Sequence, residues 1–272
     1  MTLSPVPILL YHAVTADPPG WIAPFAVSPA VFAAHLDAVT ASGRQALTVS
    51  QLVDGLRGNA VLPPRPVVIT VDDGFADFAD AALPALAQRG LPSTLYITTA
   101  ALADAADTSA LPAAPMLSST DLPGLESAGV EIGAHSHTHR QLDLLPNQEV
   151  ATDVARCRDL LIATLGHRIR SFAYPHGYSR AGVRRLVGEA GFDSAAAVGN
   201  AASTARDHPL ALSRLMVRAG TGPATVAAWM SEAGPGGLPR RRRVLAFGWR
   251  QCRRAQAWRH GRQMRRLPVR PA

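Results

Sequence analysis

Val67-Val68-Ile69-Thr70-Val71-Asp72-Asp73-Gly74 is the stretch on which the fold turns. A largely apolar, β-branched run reads as a strand covered on both faces, as in a parallel sheet. It stops at two adjacent carboxylates and a glycine that lets the chain turn. Runs of the same kind recur at Ile8–Tyr11, 94–98, Val130–Ala134, 171–174, 194–198 and 212–217. Helical patterns fall between them. Ser28-Pro29 supplies an N-cap and a proline at the first helical position, and Gly43 closes that helix. Further helices are expected at 50–56, 77–88, 119–127, Asn147–Leu165 and 179–189.

Seven strands alternating with helices imply an α/β fold with a largely parallel sheet. The polar motifs fall at the carboxyl ends of several different strands. That favours a TIM-barrel-like (β/α) barrel over an open doubly wound sheet. The chain of 272 residues is 47% hydrophobic and suffices for one such barrel, expected over residues 1–231. Residues 232–272 read as a Gly/Pro linker followed by an arginine-rich tail.

The net charge of +7 divides unevenly. Every basic residue is arginine, and 12 of the 27 lie from Arg240 to Arg270, a stretch without acids. The rest carries 15 arginines against 20 acids. An acidic body argues against nucleic acid as partner. The tail, with Trp249 and Trp258 among its arginines, suits peripheral contact with an anionic membrane. Cys157 and Cys252 are expected as free thiols. The N-terminus lacks the features of a signal peptide, so the expected location is cytoplasmic, at the inner face of the membrane.

Three features carry chemistry. Asp72-Asp73 places two like charges at a strand end, which is costly unless a cation or a shared proton relieves them. The same residues could instead cap the next helix or form an Asp-Gly turn. In His135-Ser136-His137-Thr138-His139, three of nine histidines fall within five positions just past a strand. Two imidazoles and a carboxylate are a common divalent-metal set. Arg170 precedes the next strand, which ends in Tyr174-Pro175-His176-Gly177, and Tyr11-His12 ends the first.

Together these motifs resemble the polysaccharide deacetylases, the NodB-homology family of carbohydrate esterases, over about residues 8–217. Thr70-Val71-Asp72-Asp73-Gly74 is similar to the family's first motif and His135-Ser136-His137-Thr138-His139 to its H-[ST]-x-x-H motif. The resemblance implies a distorted barrel, usually of seven strands. It implies Asp72 as general base, and Asp73, His135 and His139 as ligands of a divalent metal, Zn²⁺ first. It implies Arg170 as the partner that orients Asp72. The reaction implied is removal of acetyl groups from N-acetylated sugars of a polysaccharide or glycan precursor. Two family elements are unmatched: a D-x-x-x-W segment and a late Leu-x-x-His whose histidine is the acid. The acid candidates are therefore His176, His12 and His208, the first two preferred for their places at strand ends. Rival readings are a barrel amidohydrolase using His135 and His137, an iron oxygenase, and a glycan-binding relative without turnover.

Overall fold

The computed structural model describes residues 4–231. Seven parallel strands follow one another around a curled sheet in the order β7-β6-β5-β4-β3-β1-β8. They are β1 (Ile8–Tyr11), β3 (Pro66–Val71), β4 (Ser93–Ile97), β5 (Val130–Ala134), β6 (Ser171–Ala173), β7 (Ser194–Ala196) and β8 (Leu215–Met216). An eighth, β2 (Gln45–Leu47), pairs only with the start of β3. It was not expected from the sequence: three residues with an exposed glutamine and no β-branched side chain give no strand signal.

The expected last strand, 212–217, is split. Leu212 makes a parallel bridge to Ala196 of β7, whereas Leu215 and Met216 pair with Leu9 and Leu10 of β1. The chain thus changes neighbour at Ser213-Arg214, and that single crossing links the two ends of the curled sheet into a distorted barrel.

The helices α1 (Pro29–Ala41), α2 (Val49–Leu56), α3 (Leu83–Ala87), α4 (Leu122–Ser127), α5 (Asn147–Leu165), α6 (Ala181–Glu189) and α7 (Pro223–Met230) alternate with the strands. Their starts follow local chemistry. The Ser28 hydroxyl accepts from the Val31 N–H, and Thr48 and Gln51 form a reciprocal capping box. The 77–88 segment is a π-helical turn, Phe78–Ala82, running into α3. The C-terminal α7, packed on α1, was not anticipated. No helix among the described residues is long and apolar enough to cross a membrane. Burial pushes the free Cys157 thiol up to about 12, which leaves it inert. Cys252 and the arginines from Arg240 to Arg270 lie outside the described residues.

Strand alternation decides what faces inward. The main core cluster, which takes in residues of the surrounding helices, contains Leu9 and Tyr11, Ile69 and Val71, Leu95 and Ile97, and Ile132 and Ala134. The other register holds Ile8, Val68, Tyr96 and Ala173, which share a second cluster, and continues to His12, Asp72 and His135. Gly133 belongs to this register because a Cβ there would meet the Tyr96 ring at 2.5 Å.

Arg170 lies at the opposite end from the carboxyl-terminal motifs, because it precedes β6 rather than following it. Its guanidinium donates two bonds to Asp54, at 2.9 and 2.6 Å, and one to Asp193 at 2.8 Å. The expectation that Arg170 orients Asp72 is therefore corrected: it ties α2 to the β6 and β7 entrances. Although burial opposes it, bonding to Arg168 and Arg170 pulls the Asp193 carboxyl down to about 2. Arg170→Gln is expected to lower stability by about 1 kcal/mol, as befits a partly exposed ion pair, with little change in metal binding. Urea denaturation beside a zinc titration checks both; a large loss of zinc affinity would reverse the correction.

Candidate metal and hydrolytic site

The inward register delivers its polar residues to one cavity of about 560 Å³ at the carboxyl ends of the strands. His12, Asp72, Asp73, His135, His139, Gln141, His176 and Arg218 are among its walls. Asp73 breaks the alternation by taking φ +79°, which swings its carboxylate to the same side as Asp72. Ser136, His139 and His176 also have positive φ. These costly conformations gather at the rim, the usual place for backbone strain with a functional use.

Asp73, His135 and His139 each offer one ligand atom, all within 4.8 Å of one another and all buried. Asp73 Oδ1 lies 3.1 Å from His139 Nε2 and 3.4 Å from His135 Nε2, yet makes no hydrogen bond of good geometry. The Nδ1–H of His135 donates to the Ala173 carbonyl at 2.8 Å, which turns the Nε2 lone pair toward Asp73. Burial alone would raise the Asp73 carboxyl; the charge of His139 and the close approach of both imidazoles hold it well below the carboxylate range. Burial would lower His135, and Asp72 and Asp73 raise it instead. The cluster as it stands thus favours positive charge at its centre. A buried oxygen without a donor and two directed imidazoles fit a divalent cation.

Asp72 is held by a residue the sequence reading did not select. Arg214, fully buried at the crossing between β7 and β8, donates to Asp72 Oδ1 at 2.6 Å and Oδ2 at 2.7 Å. It also donates to the Thr70 hydroxyl and the Ala197 carbonyl, with its guanidinium carbon 5.5 Å from the centre of the Tyr96 ring. Burial opposes ionisation of Asp72, but the Arg214 charge overrides it and lowers the pKa. Asp72 Oδ2 is 3.7 Å from His135 Nε2, so the ionised carboxylate borders the ligand cluster. One signal in the sequence could have shown Arg214: an arginine inside an apolar strand must be paired if buried.

His137 points elsewhere. Its Nδ1 meets Thr99 Oγ1 at 2.8 Å and its Nε2 meets Asp107 at 3.1 Å. The His135/His137 pairing of the amidohydrolase rival is not formed. His208 also lies away, where its Nδ1 accepts from the Leu210 N–H. His12 and His176 both line the cavity. The His176 ring packs on His139 with centroids 4.9 Å apart, and His12 Nδ1 is buried without a partner. Burial lowers the His12 imidazole against the opposing pull of Asp73 and Asp72.

The family model for polysaccharide deacetylases matches residues 59–195, half of the chain. The chain belongs to the polysaccharide deacetylase family. Among curated proteins it is similar to YxkH of Bacillus subtilis strain 168, whose own assignment as a polysaccharide deacetylase is provisional. The two are 23% identical over 172 residues, 63% of this chain and 57% of that one. The chain thus spans little more than half the length of that relative. Two solved structures share the fold. The deacetylase PplD of Streptococcus pyogenes has a TM-score of 0.74 at 21% identity, over 85% of this chain and all of that one. IcaB from Ammonifex degensii has a TM-score of 0.72 at 25% identity, over 84% and 97%.

In this deacetylase-family chain the histidine loop is braced from behind. Asp153 on α5 accepts from the His137 N–H at 2.8 Å, the Thr138 N–H at 3.1 Å and the Thr138 hydroxyl. The Ser136 hydroxyl accepts from the His139 N–H at 2.9 Å. Asp153→Ala leaves two backbone donors unpaired, a cost of about 1–3 kcal/mol each where water cannot reach. The expected result is a destabilised protein whose zinc affinity falls on the order of tenfold. Unchanged affinity would mean the loop holds its shape without Asp153.

Proposed function

We propose that this chain is a metal-dependent hydrolase that removes acetyl groups from N-acetylated sugars of a polysaccharide or glycan precursor. The observation that carries it is the Arg214-held Asp72 carboxylate bordering the Asp73, His135 and His139 cluster in one cavity. Family membership supports the substrate class. Asp73, His135 and His139 would hold the cation, with zinc favoured by two imidazoles and one carboxylate. When bound, it supplies Lewis-acid polarisation and makes water acidic enough to react near neutral pH.

The chain's own groups do the rest. Asp72, kept ionised by Arg214, accepts the proton of the attacking water. The two imidazoles and Asp73 fix the place of attack, and the Ala173 carbonyl fixes the orientation of His135. His12, on the cavity wall at the end of β1, is our first candidate to give the leaving amine its proton. His176, which lines the same cavity and packs on His139, is the second candidate. Products are acetate and a free amino sugar.

The test is acetate release from a panel of N-acetylated and O-acetylated glycans with added Zn²⁺. Release from N-acetylated substrates, lost in Asp72→Asn, is expected. Zinc and glycan binding without acetate from any substrate would instead mark a binding protein without turnover. For the acid, His12→Ala is expected to suppress amide cleavage while sparing an activated acetyl ester, whose leaving group needs no proton. Equal loss on both substrates would remove His12 from that role. Location remains a proposal: the inner face of a membrane, through the arginines from Arg240 to Arg270. Unchanged membrane recovery after truncation at Gly234 would defeat it.

A further inference from the structure

The cavity over Asp73 carries one arginine on its wall, and it serves neither the carboxylates nor the ligand cluster. Arg218 lies two residues past β8, on the wall with Met216. Its guanidinium rests over the Phe25 ring, 5.0 Å from the centroid. The same ring packs against His12, with centroids 5.3 Å apart, so Arg218 and the proposed acid share one phenyl group as a neighbour. The backbone there is pinned. The Arg218 N–H donates to Thr221 Oγ1 at 2.9 Å, and the Ala219 N–H donates to the Pro24 carbonyl at 3.1 Å, beside Phe25.

The head group is exposed and makes no ion pair among the described residues. Of the two acids of the cavity, Asp72 is already paired with Arg214, and Asp73 belongs to the proposed ligand cluster. What the wall offers a substrate is therefore an unmatched positive charge. A guanidinium resting on an aromatic face is held in place yet keeps its N–H edge for a planar or tetrahedral oxyanion.

We propose that Arg218 is a specificity-determining residue that selects acetylated sugars bearing an anionic substituent, a carboxylate or phosphate ester, near the acetyl group removed. This rests on the deacetylase reading. The experiment compares three N-acetylglucosamine oligomers of one length: unmodified, oxidised to the carboxylate at C6, and phosphorylated at C6. Acetate release gives kcat/KM for each, and calorimetry on Asp72→Asn gives binding without turnover.

An anionic oligomer is expected to be preferred on the order of tenfold, the value of one charge-assisted contact. Arg218→Gln should erase the preference and Arg218→Lys restore part of it. The carboxylate and phosphate arms show which oxyanion the site takes. Equal kcat/KM on all three oligomers, or a preference that survives Arg218→Gln, overturns the proposal while leaving the deacetylase reading intact. Absence of acetate from every oligomer sinks that reading, and calorimetry then decides for Arg218. Tighter anionic binding lost in the Asp72→Asn/Arg218→Gln double variant upholds it; equal affinities overturn it.

Discussion

Arg214→Gln is expected to abolish acetate release and to destabilise the protein by about 3–5 kcal/mol, the usual cost of stranding one partner of a buried ion pair. Arg214 is fully buried and makes two short bonds to Asp72, itself buried. Without it, Asp72 keeps the burial that opposes ionisation and loses the largest influence that favours it. The carboxyl then takes a proton at higher pH, and the acidic limb of the rate profile moves upward. The sign for stability follows from the same shift. The folded-state pKa of Asp72 is depressed, so the pair stabilises the fold above the ordinary carboxylate pKa of about 3.9. That contribution disappears as pH falls through the depressed value, so the gap between wild type and variant narrows on acidification. Urea denaturation across pH measures it. Asp72→Asn added to Arg214→Gln should recover stability but not activity. Arg214→Lys, with charge but no fork, should fall between. A single variant as stable as wild type at pH 7 would mean Asp72 needs no partner.

Zinc is expected to raise the melting temperature of wild type and His137→Ala, and to leave Asp73→Asn and His139→Asn unmoved. Asparagine suits the last two because both residues sit at positive φ, where it is among the better tolerated side chains. A ligand present at a hundred times its Kd stabilises by about 2.7 kcal/mol, an effect a thermal shift resolves easily. His137 is engaged by Thr99 and Asp107, so its removal should spare the metal. A lost zinc response in His137→Ala with a retained one in His139→Asn would reinstate the pairing that the geometry excludes.

Much of this site was legible because a strand's alternation outruns the strand. Val68, Thr70 and Asp72 share one face, as do Glu131, Gly133 and His135, and the step of two carries each motif into the barrel mouth. Asp73 and His139 depart from any alternation through positive φ, which no local pattern reports; their place came from the resemblance. Arg170 was misplaced because its position before a strand sends it to the far end of the barrel. Arg214 escaped because it stands just before a strand of two residues and its role exists only where the chain passes from β7 to β1. Long-range closure is the information that a stretch of six residues does not carry.

That crossing has a mechanical meaning. Between Leu212 and Leu215 the two rims of the sheet are joined by the Leu212–Ala196 bridge, by the Asn200 N–H donating to the Arg214 carbonyl, and by a guanidinium reaching over to the facing wall. The clasp that shuts the barrel is also the counter-ion of the proposed base. Breathing at this joint would release both at once, so an opened molecule would be an inactive one. Amide hydrogen exchange at Ala197 and Val217, whose N–H groups donate to Leu212 and Leu10 on either side of the joint, would report how often the clasp lets go.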